Sequence, residues 1–323
     1  MERMGRRPVL VALLGALAIA WSGPIVRLAD LPPATTAVGR CLLALPVLLL
    51  LARREDRRLG APLPLRTRKL AVVAGVFFAA DLVLWHHAIE AVGAGLATVL
   101  GNLQVIVVAA VAWWLLDERP HAGLVASVPV LLLGVTLVSG ALGGETYGKD
   151  PMLGVVLGLA TSVAYAGFIL VLRHGSSDLR RLAGPLLWAS GSAAIAATVL
   201  GALLGELVVP SLRSLLWLAV LALTAQVVGW LLISSSLPRL PAALTSVLLL
   251  TQPVAALGIA RVVVDETPTP VQLAGAAAIL VGVVLATATR PRGKALPAPI
   301  MEQVPAPHAP ASSTGAMIGA GSG

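Results

Sequence analysis

Of the 323 residues in this chain, 58% are hydrophobic and only 12% are charged, well below the charged fraction of about 25% in a typical soluble domain. So little charge over so long a chain excludes a water-facing globular surface and leaves the lipid bilayer as the expected surroundings. The net charge of +8 does not indicate a nucleic-acid partner, because the basic residues are grouped in short segments between apolar stretches.

The chain divides into ten apolar stretches, each long enough as a helix to cross a hydrocarbon core of about 30 Å. The runs are continuous rather than alternating, which favours helices over a β-barrel. The predicted spans cover residues 8–28, 33–52, 69–90, 93–116, 122–141, 152–172, 182–205, 214–236, 241–264 and 269–289. The sequence therefore predicts an all-α integral membrane protein with ten transmembrane helices.

The distribution of Lys and Arg predicts the orientation of these spans. With residues 1–7 placed in the cytoplasm, 18 Lys and Arg fall in cytoplasmic segments and 3 fall in outer loops. This excess is the positive-inside pattern, so both termini are expected inside a cell membrane. We interpret span one as an uncleaved helix rather than a signal peptide. Residues 290–323, rich in Pro, Ala, Gly and Ser, are expected to form a disordered cytoplasmic tail.

Spans two and three carry ionisable side chains at similar depth. Counting about 1.5 Å of rise per residue, Arg40 lies about 10 Å and Asp81 about 13 Å from the outer interface. Charged groups inside a bilayer tend to face partners or cavities. We therefore expect an Arg40–Asp81 pair. It is either a purely structural ion pair or part of a cavity wall that holds a zwitterionic or anionic substrate or exchanges a proton.

Span three continues with Trp85, His86 and His87. On a helical wheel Asp81 and Trp85 share a face, which favours both as cavity-lining residues. Adjacent histidines are badly spaced for a shared metal ion, so no metal site is predicted. Asp81 and His86 are the candidate proton-coupling groups; the alternative interpretation of His86 is a satisfied interfacial histidine.

Span four contains Gln104, and span nine contains Gln252 at the equivalent position 148 residues later. Each lies about 16 Å from a membrane face, which places both near the midplane of the bilayer. A buried amide needs a hydrogen-bond partner in lipid. The two amides are expected either to bond to each other across a symmetry axis or to reach the substrate.

Tyr165 in span six and Trp230 in span eight are the aromatic residues that we assign to the substrate site. Aromatic walls suit amino acids, cationic drugs or heterocycles through stacking and cation–π contacts. The alternative interpretation of either residue is simple packing.

The offset of 148 residues also relates the ends of spans four and nine. Leu116-Asp117-Glu118-Arg119-Pro120 recurs as Val264-Asp265-Glu266-Thr267-Pro268. This self-match predicts two repeats, at 8–141 and 152–289, with five spans each. Because five is odd, the second copy enters the membrane from the opposite side, which gives an inverted repeat of the kind that many transporters contain.

The two Asp-Glu pairs could suggest acid–base chemistry, but each one occurs at a predicted helix end and is followed by a proline that starts the next helix. We interpret them as helix-end markers and as candidates for a gating network. Glu118 is expected to pair with Arg119 or with the basic loops, and Asp265 with Arg261 one turn earlier.

Motifs of other function classes are weak or missing. The segment Gly143–Asp150 comes within one residue of a P-loop, but its last position lacks the metal-binding hydroxyl and no strand precedes it. The sequence contains no H-E-x-x-H or G-x-S-x-G motif. We therefore predict no ATP-driven mechanism, no enzyme activity and no cofactor. Gly154-x-x-x-Gly158 and Gly201-x-x-x-Gly205 permit close helix contacts, and we expect a monomer or a weak homodimer.

Several features together resemble the EamA-type branch of the drug/metabolite transporter superfamily. They are the doubled five-span unit, Trp21-Ser22-Gly23-Pro24, Arg40, the Leu-x-Glu-x ends of spans four and nine, Thr251-Gln252-Pro253-Val254 and the stretch from Gly275 to Gly282. The resemblance covers residues 8–289. The halves depart from each other at Pro253, opposite Val105, and at Arg40, opposite Trp188.

The resemblance implies a secondary active transporter that exports or exchanges small metabolites, amino acids or related compounds, by alternating access. Its central cavity would be lined by helices of both repeats. The substrate-binding residues that we predict are Arg40, Asp81, Trp85, Gln104, Tyr165, Trp230 and Gln252. The alternatives are a membrane-embedded enzyme and a non-transporting scaffold or sensor.

Overall fold

The computed structural model describes residues 7–138, 150–252, 254–255, 258–259 and 269–288. Within these ranges the regular structure is helical throughout, and no strand occurs. The predicted all-helical class is therefore confirmed for the part of the chain that is described.

The helices follow the apolar stretches of the sequence. In chain order they are α1 (Pro8–Ala20), α2 (Ser22–Ala29), α3 (Pro33–Leu59), α4 (Leu65–Asn102), α5 (Gln104–Leu116), α6 (Ala122–Val138), α7 (Pro151–Gly175), α8 (Ala183–Leu204), α9 (Leu212–Leu221), α10 (Trp230–Ser236), α11 (Ala242–Leu249) and α12 (Pro270–Ala288). A π-helix, Ala222–Gly229, joins α9 to α10, and a 3₁₀ turn, Leu237–Arg239, follows α10.

Six helical stretches are long and apolar enough to cross a membrane. They are Pro8–Val26, Pro33–Leu59, Leu65–Ala88, Met152–Gly175, Ala183–Leu204 and Leu212–Arg239. Three shorter apolar helices, Leu100–Leu115, Ala122–Leu137 and Leu273–Ala286, correspond to predicted spans four, five and ten. Predicted span nine (241–264) lies partly outside the described residues, so the six long stretches identify a multi-pass membrane protein without fixing its number of spans.

Predicted spans three (69–90) and four (93–116) are joined by helical backbone, because α4 continues through 38 residues. A Cβ atom on Gly101 would lie 3.7 Å from Cδ1 of Trp85, whereas a straight helix separates residues sixteen apart by about 24 Å. The chain therefore reverses direction within α4. Gly93 and Gly95 lie between the two contact points, and glycine is a residue at which helices kink.

Contacts along α7 show the same reversal. Asp150, just before α7, donates a backbone hydrogen bond to Ala91 at 3.3 Å. Further along, Gly158 meets Leu100 and Gly167 meets Phe77. Helix α7 thus packs against both arms of α4, which lie side by side.

Glycines allow the helices to approach closely. A Cβ on Gly75 of α4 would lie 2.1 Å from the carbonyl oxygen of Ala189 in α8, a distance that no side chain could tolerate. Gly158 and Gly201, from the two predicted small-residue motifs, contact Leu100 and Ala34 of the same chain. These two glycines therefore serve contacts between helices of one chain.

Polar contacts between helices are concentrated at two ends of the bundle. One end of the bundle holds the starts of α8 and α11 and the ends of α5 and α7. We call this end the first rim. The second rim holds the start of α3, the start of α7 and the end of α8.

Candidate functional site

An aromatic cluster occupies the interior of the bundle. Phe78 of α4 stacks on Phe168 of α7 with ring centroids 4.5 Å apart. Trp230 of α10 meets Phe168 edge-on at 4.6 Å and Phe78 at 5.8 Å. Tyr165 lies 6.5 Å from Trp230. Edge-to-face contacts on two sides fix the orientation of the Trp230 ring, and the predicted pair Tyr165 and Trp230 thus lies in one cluster.

Arg40 of α3 adds a positive charge to this cluster. Its guanidinium carbon lies 5.5 Å from the centre of the Phe78 ring, at cation–π distance. The side chain is only 7% exposed, and its Nε makes no hydrogen bond. We call Arg40, Phe78, Tyr165, Phe168 and Trp230 the central cluster. Because Phe78 belongs to the first predicted repeat and Trp230 to the second, both halves of the chain build it.

The predicted Arg40–Asp81 pair is not formed as a direct contact. Asp81 and Tyr165 interact electrostatically with Arg40. Yet none of the ion pairs found in the described residues joins Arg40 to Asp81. The side chain of Arg40 instead lies against an aromatic face. The two opposite charges are therefore neighbours, and neither is neutralised by a close contact with the other.

The two symmetry-related glutamines have different surroundings. Gln252 lies beside the hydroxyl of Tyr165, at the edge of the central cluster, and its side chain interacts with that hydroxyl. Gln104 is 1% exposed, and neither polar atom of its amide has a hydrogen-bond partner. The hydrogen bond that could have joined the two across the axis is therefore absent. No described contact links Gln104 to the central cluster.

Trp85, His86 and His87 follow Asp81 along α4. The rings of Trp85 and His86 meet edge-on at 5.0 Å, and Nδ1 of His86 lies 2.7 Å from the carbonyl oxygen of Leu82. His87, not His86, has a direct carboxylate partner, because its Nε2 lies 3.1 Å from Oε1 of Glu206. Among the described residues no group of three His, Cys, Asp or Glu side chains could hold a metal ion.

Gln226 is a buried amide that the predicted substrate site did not include. It lies in the π-helix, and its Nε2 donates to Oγ of Ser190 in α8 at 2.9 Å. Its Oε1 has no partner. Its position at mid-depth in span eight was visible in the sequence, but the π-helical turn that carries it has no recognisable sequence signal.

At the first rim a carboxylate caps α8. Glu55, near the end of α3, accepts hydrogen bonds from the backbone N–H groups of Leu182, Ala183 and Gly184 at 2.9–3.0 Å. These donors have no partner within the helix, so a carboxylate there satisfies them and complements the helix dipole. The neighbouring Asp56 forms an ion pair with Arg181. In the same loop, the hydrogen bond from Arg180 lowers the pKa of Asp178 below its usual range.

At the second rim Glu206, after the end of α8, caps α3 in return. Its Oε2 accepts from the backbone N–H of Ala34 at 3.2 Å, and its backbone oxygen accepts from Oγ1 of Thr35 at 2.7 Å. Its Oε1 faces His87 of α4. In the sequence, the signal for this network is a lone Glu directly after Gly205. In the structure Gly205 ends α8 with a φ of +71°.

Glu118 shows what the Asp-Glu motif does at the first rim. Asp117 takes a left-handed conformation, with φ at 52°, and ends α5. Glu118 then pairs with Arg173 of α7 at 2.5 Å and accepts from the backbone N–H of Ala242 at 2.9 Å. The expected pairing of Glu118 with a basic segment is thus formed. The second copy of the motif and the Asp265–Arg261 pairing lie outside the described residues.

An apolar groove of about 230 Å³ lies between α3, α9 and the segment after α8. Leucine, valine and proline side chains account for most of its lining, and none of its lining residues belongs to the central cluster. Its chemistry does not suit a polar substrate.

A family model described as the EamA-like transporter family matches residues 6–140 and again residues 152–288. The chain belongs to the EamA-like transporter family. The predicted resemblance is confirmed, and the match recurs once in each half of this family member.

Comparison with solved structures supports the fold of this EamA-like protein. Twenty-nine chains match it. One of them, described as "Crystal structure of protein", superposes with a TM-score of 0.72 at 17% sequence identity. The match covers 88% of this chain and 97% of the other, so it shows a shared fold. No curated protein sequence matches the chain.

Proposed function

We propose that this protein is a secondary active transporter that exports or exchanges small metabolites, amino acids or related compounds, by alternating access. The observation that carries the proposal is the central cluster. It buries a guanidinium with an unpartnered Nε next to Asp81, among aromatic residues from both halves of the chain. Intramembrane groups of this kind mark substrate or ion pathways in membrane proteins.

The architecture that we propose has ten transmembrane helices in two inverted five-helix repeats, 8–141 and 152–289, with both termini in the cytoplasm. The protein would lie in the cell membrane as a monomer or weak homodimer. The reciprocal capping of α3 and α8 supports the inverted relation. Glu55 caps α8 at one rim and Glu206 caps α3 at the other, as expected of twins that run in opposite directions.

The proposed roles follow the geometry. Arg40 and Asp81 would hold opposite charges of a zwitterion, and Tyr165, Trp230 and Gln252 would surround them. Trp85 remains a proposed lining residue one helical turn beyond Asp81. Gln104 is proposed as a contact for substrate at another stage of the cycle, because both polar atoms of its amide are unpartnered. Asp81 and His86 remain the proposed proton-coupling groups.

Counterflow in proteoliposomes tests the proposal. Vesicles loaded with an unlabelled amino acid mixture and diluted into trace labelled amino acids should accumulate label only when they contain the protein. An Asp81→Asn, Gln104→Leu double variant should lose this accumulation. The rim variant Arg119→Gln, whose side chain is exposed, is the control and should retain it. Normal counterflow in the double variant contradicts the site, and no counterflow of any amino acid contradicts the transport proposal.

A further inference from the structure

We propose that Gln226 and Trp230 form a neutral hydrogen-bonding subsite that recognises a hydroxyl or carboxamide group of the substrate. This inference rests on the proposed transport function and adds a substrate class to it. The compounds that fit are zwitterions with a neutral polar side chain.

Both side chains are buried with one unused polar atom each. Gln226 is 1% exposed, and its Oε1 accepts no hydrogen bond. Trp230 is 2% exposed, and its indole Nε1 donates none. Buried polar groups are nearly always bonded, and leaving one unpaired is unfavourable. An acceptor and a donor left unpaired on one segment can be satisfied together by a ligand that supplies both partners.

The spacing of Gln226 and Trp230 places the two groups on one side of the segment, which begins as a π-helix. π-helical turns are rare and frequently occur at functional sites. Gln226 and Trp230 are four residues apart, close to one turn, so their side chains leave the helix in similar directions. Helix α1 covers another side of the segment, where a Cβ on Gly229 would lie 2.6 Å from Cγ1 of Ile19. The segment is thus held firmly against its neighbour.

Ser190 of α8 orients the amide. Its Oγ accepts the hydrogen bond from Gln226 Nε2, which leaves Oε1 as the unpaired atom. Because a hydroxyl can donate or accept, Ser190 fixes the position of the amide and leaves one of its polar atoms for a ligand. Ser190 is a positioning residue, since it acts through Gln226.

The chemistry of the ligand follows from these groups. A hydroxyl can donate to Gln226 Oε1 and accept from Trp230 Nε1, and a carboxamide offers the same two functions. The central cluster links this subsite to a pair of opposite charges, because the Phe78 ring contacts both Trp230 and Arg40, and Arg40 neighbours Asp81. Those charges match the carboxylate and the ammonium of an α-amino acid. The subsite would then hold the side chain of that amino acid.

Two isosteric pairs of probes test the inference in proteoliposomes that contain the full chain. Threonine and valine differ by a hydroxyl, and asparagine and leucine differ by a carboxamide. A site built to bond a substrate hydroxyl discriminates strongly against the analogue that lacks it. We expect kcat/KM for the polar member of at least one pair to exceed that of its apolar partner by about 10-fold or more.

Three variants test which side chains produce the preference for the polar probe. Gln226→Leu and Trp230→Phe, which keeps the aromatic packing, should each reduce the polar-to-apolar ratio toward 1. Ser190→Ala should raise KM for the polar probe and leave the apolar probe unchanged. Ser127→Ala is the matched control, because Ser127 is also fully buried but bonds only to Leu124 of its own helix. A monodisperse size-exclusion profile in detergent verifies the fold of each variant.

The outcomes separate the two proposals. Equal rates within both pairs for the wild-type protein overturn the subsite, and so does a ratio that survives in both Gln226→Leu and Trp230→Phe. In either case transport itself still stands. Failure of the folded wild-type protein to carry any of the four probes instead counts against the proposed transport of amino acids, on which the subsite depends.

Discussion

Glu55 and Glu206 hold the two ends of the same helix pair. Glu55 extends from α3 to the start of α8, and Glu206 extends from the end of α8 to the start of α3. The two carboxylates lie at opposite rims and have the same role in opposite directions. Helices α3 and α8 are therefore fastened at both ends, and we expect them to move as one body during a transport cycle.

Removing the cap at the first rim should destabilise the protein. Glu55→Ala leaves three N–H groups of α8 without their acceptor, and loss of a helix cap costs about 0.5–2 kcal/mol. Glu55→Gln keeps an acceptor oxygen and should lose less. Thermal unfolding in detergent measures both. Arg57→Gln, in the same segment but exposed, is the control, and equal melting temperatures for all three variants would contradict the capping role.

Glu206 and His87 should be energetically coupled at the second rim. The His87 Nε2–Glu206 Oε1 contact of 3.1 Å predicts that the effects of His87→Ala and Glu206→Ala are not additive. A double-mutant cycle on unfolding free energy should give a coupling of about 0.5–1.5 kcal/mol. Ser162→Ala, which removes a bond inside its own helix, should show no coupling with Glu206→Ala. Additivity of His87→Ala and Glu206→Ala would rule out the contact.

Arg40 should limit stability while it supports transport. A buried charge without a close counter-ion is unfavourable, so replacing Arg40 with an apolar side chain of similar length removes a desolvation cost. We expect Arg40→Met to unfold at an equal or higher temperature and to transport at least about 100-fold more slowly, a gap of roughly 2.7 kcal/mol. Thermal unfolding and counterflow, measured on the same preparation, check the expected stability and the expected loss of transport. A large loss of stability with normal flux would assign Arg40 a structural role.

Exchanging Glu118 and Arg173 should not preserve the stability of the contacts at the first rim. Glu118 bonds to Arg173 and also to the backbone N–H of Ala242, and an arginine cannot accept a hydrogen bond. The exchange variant Glu118→Arg, Arg173→Glu should therefore remain less stable than the wild-type protein by about 1–3 kcal/mol. Unfolding in detergent measures this difference. Full recovery would mean that the ion pair is the only important contact of Glu118.

Several features could be predicted from the sequence because they depend on composition and spacing alone. The apolar stretches predict the helices, since backbone polar groups in lipid must be bonded within the segment. The offset of 148 residues predicts the duplication, which the doubled family match supports. Asp81 and Arg40 were recognisable as candidate site residues because a charged side chain inside an apolar stretch is costly in whichever direction that side chain points.

The tertiary structure decided which groups meet. Arg40 faces Phe78 rather than forming a direct pair with Asp81, and Glu118 reaches Arg173 and Ala242 at once. Matched depth in the bilayer limits which side chains can meet, but helix rotation and packing choose among them. The capping of α8 by Glu55 joins residues more than 100 positions apart in sequence. Local sequence determines where helices form, whereas their contacts are determined only when the whole bundle is packed.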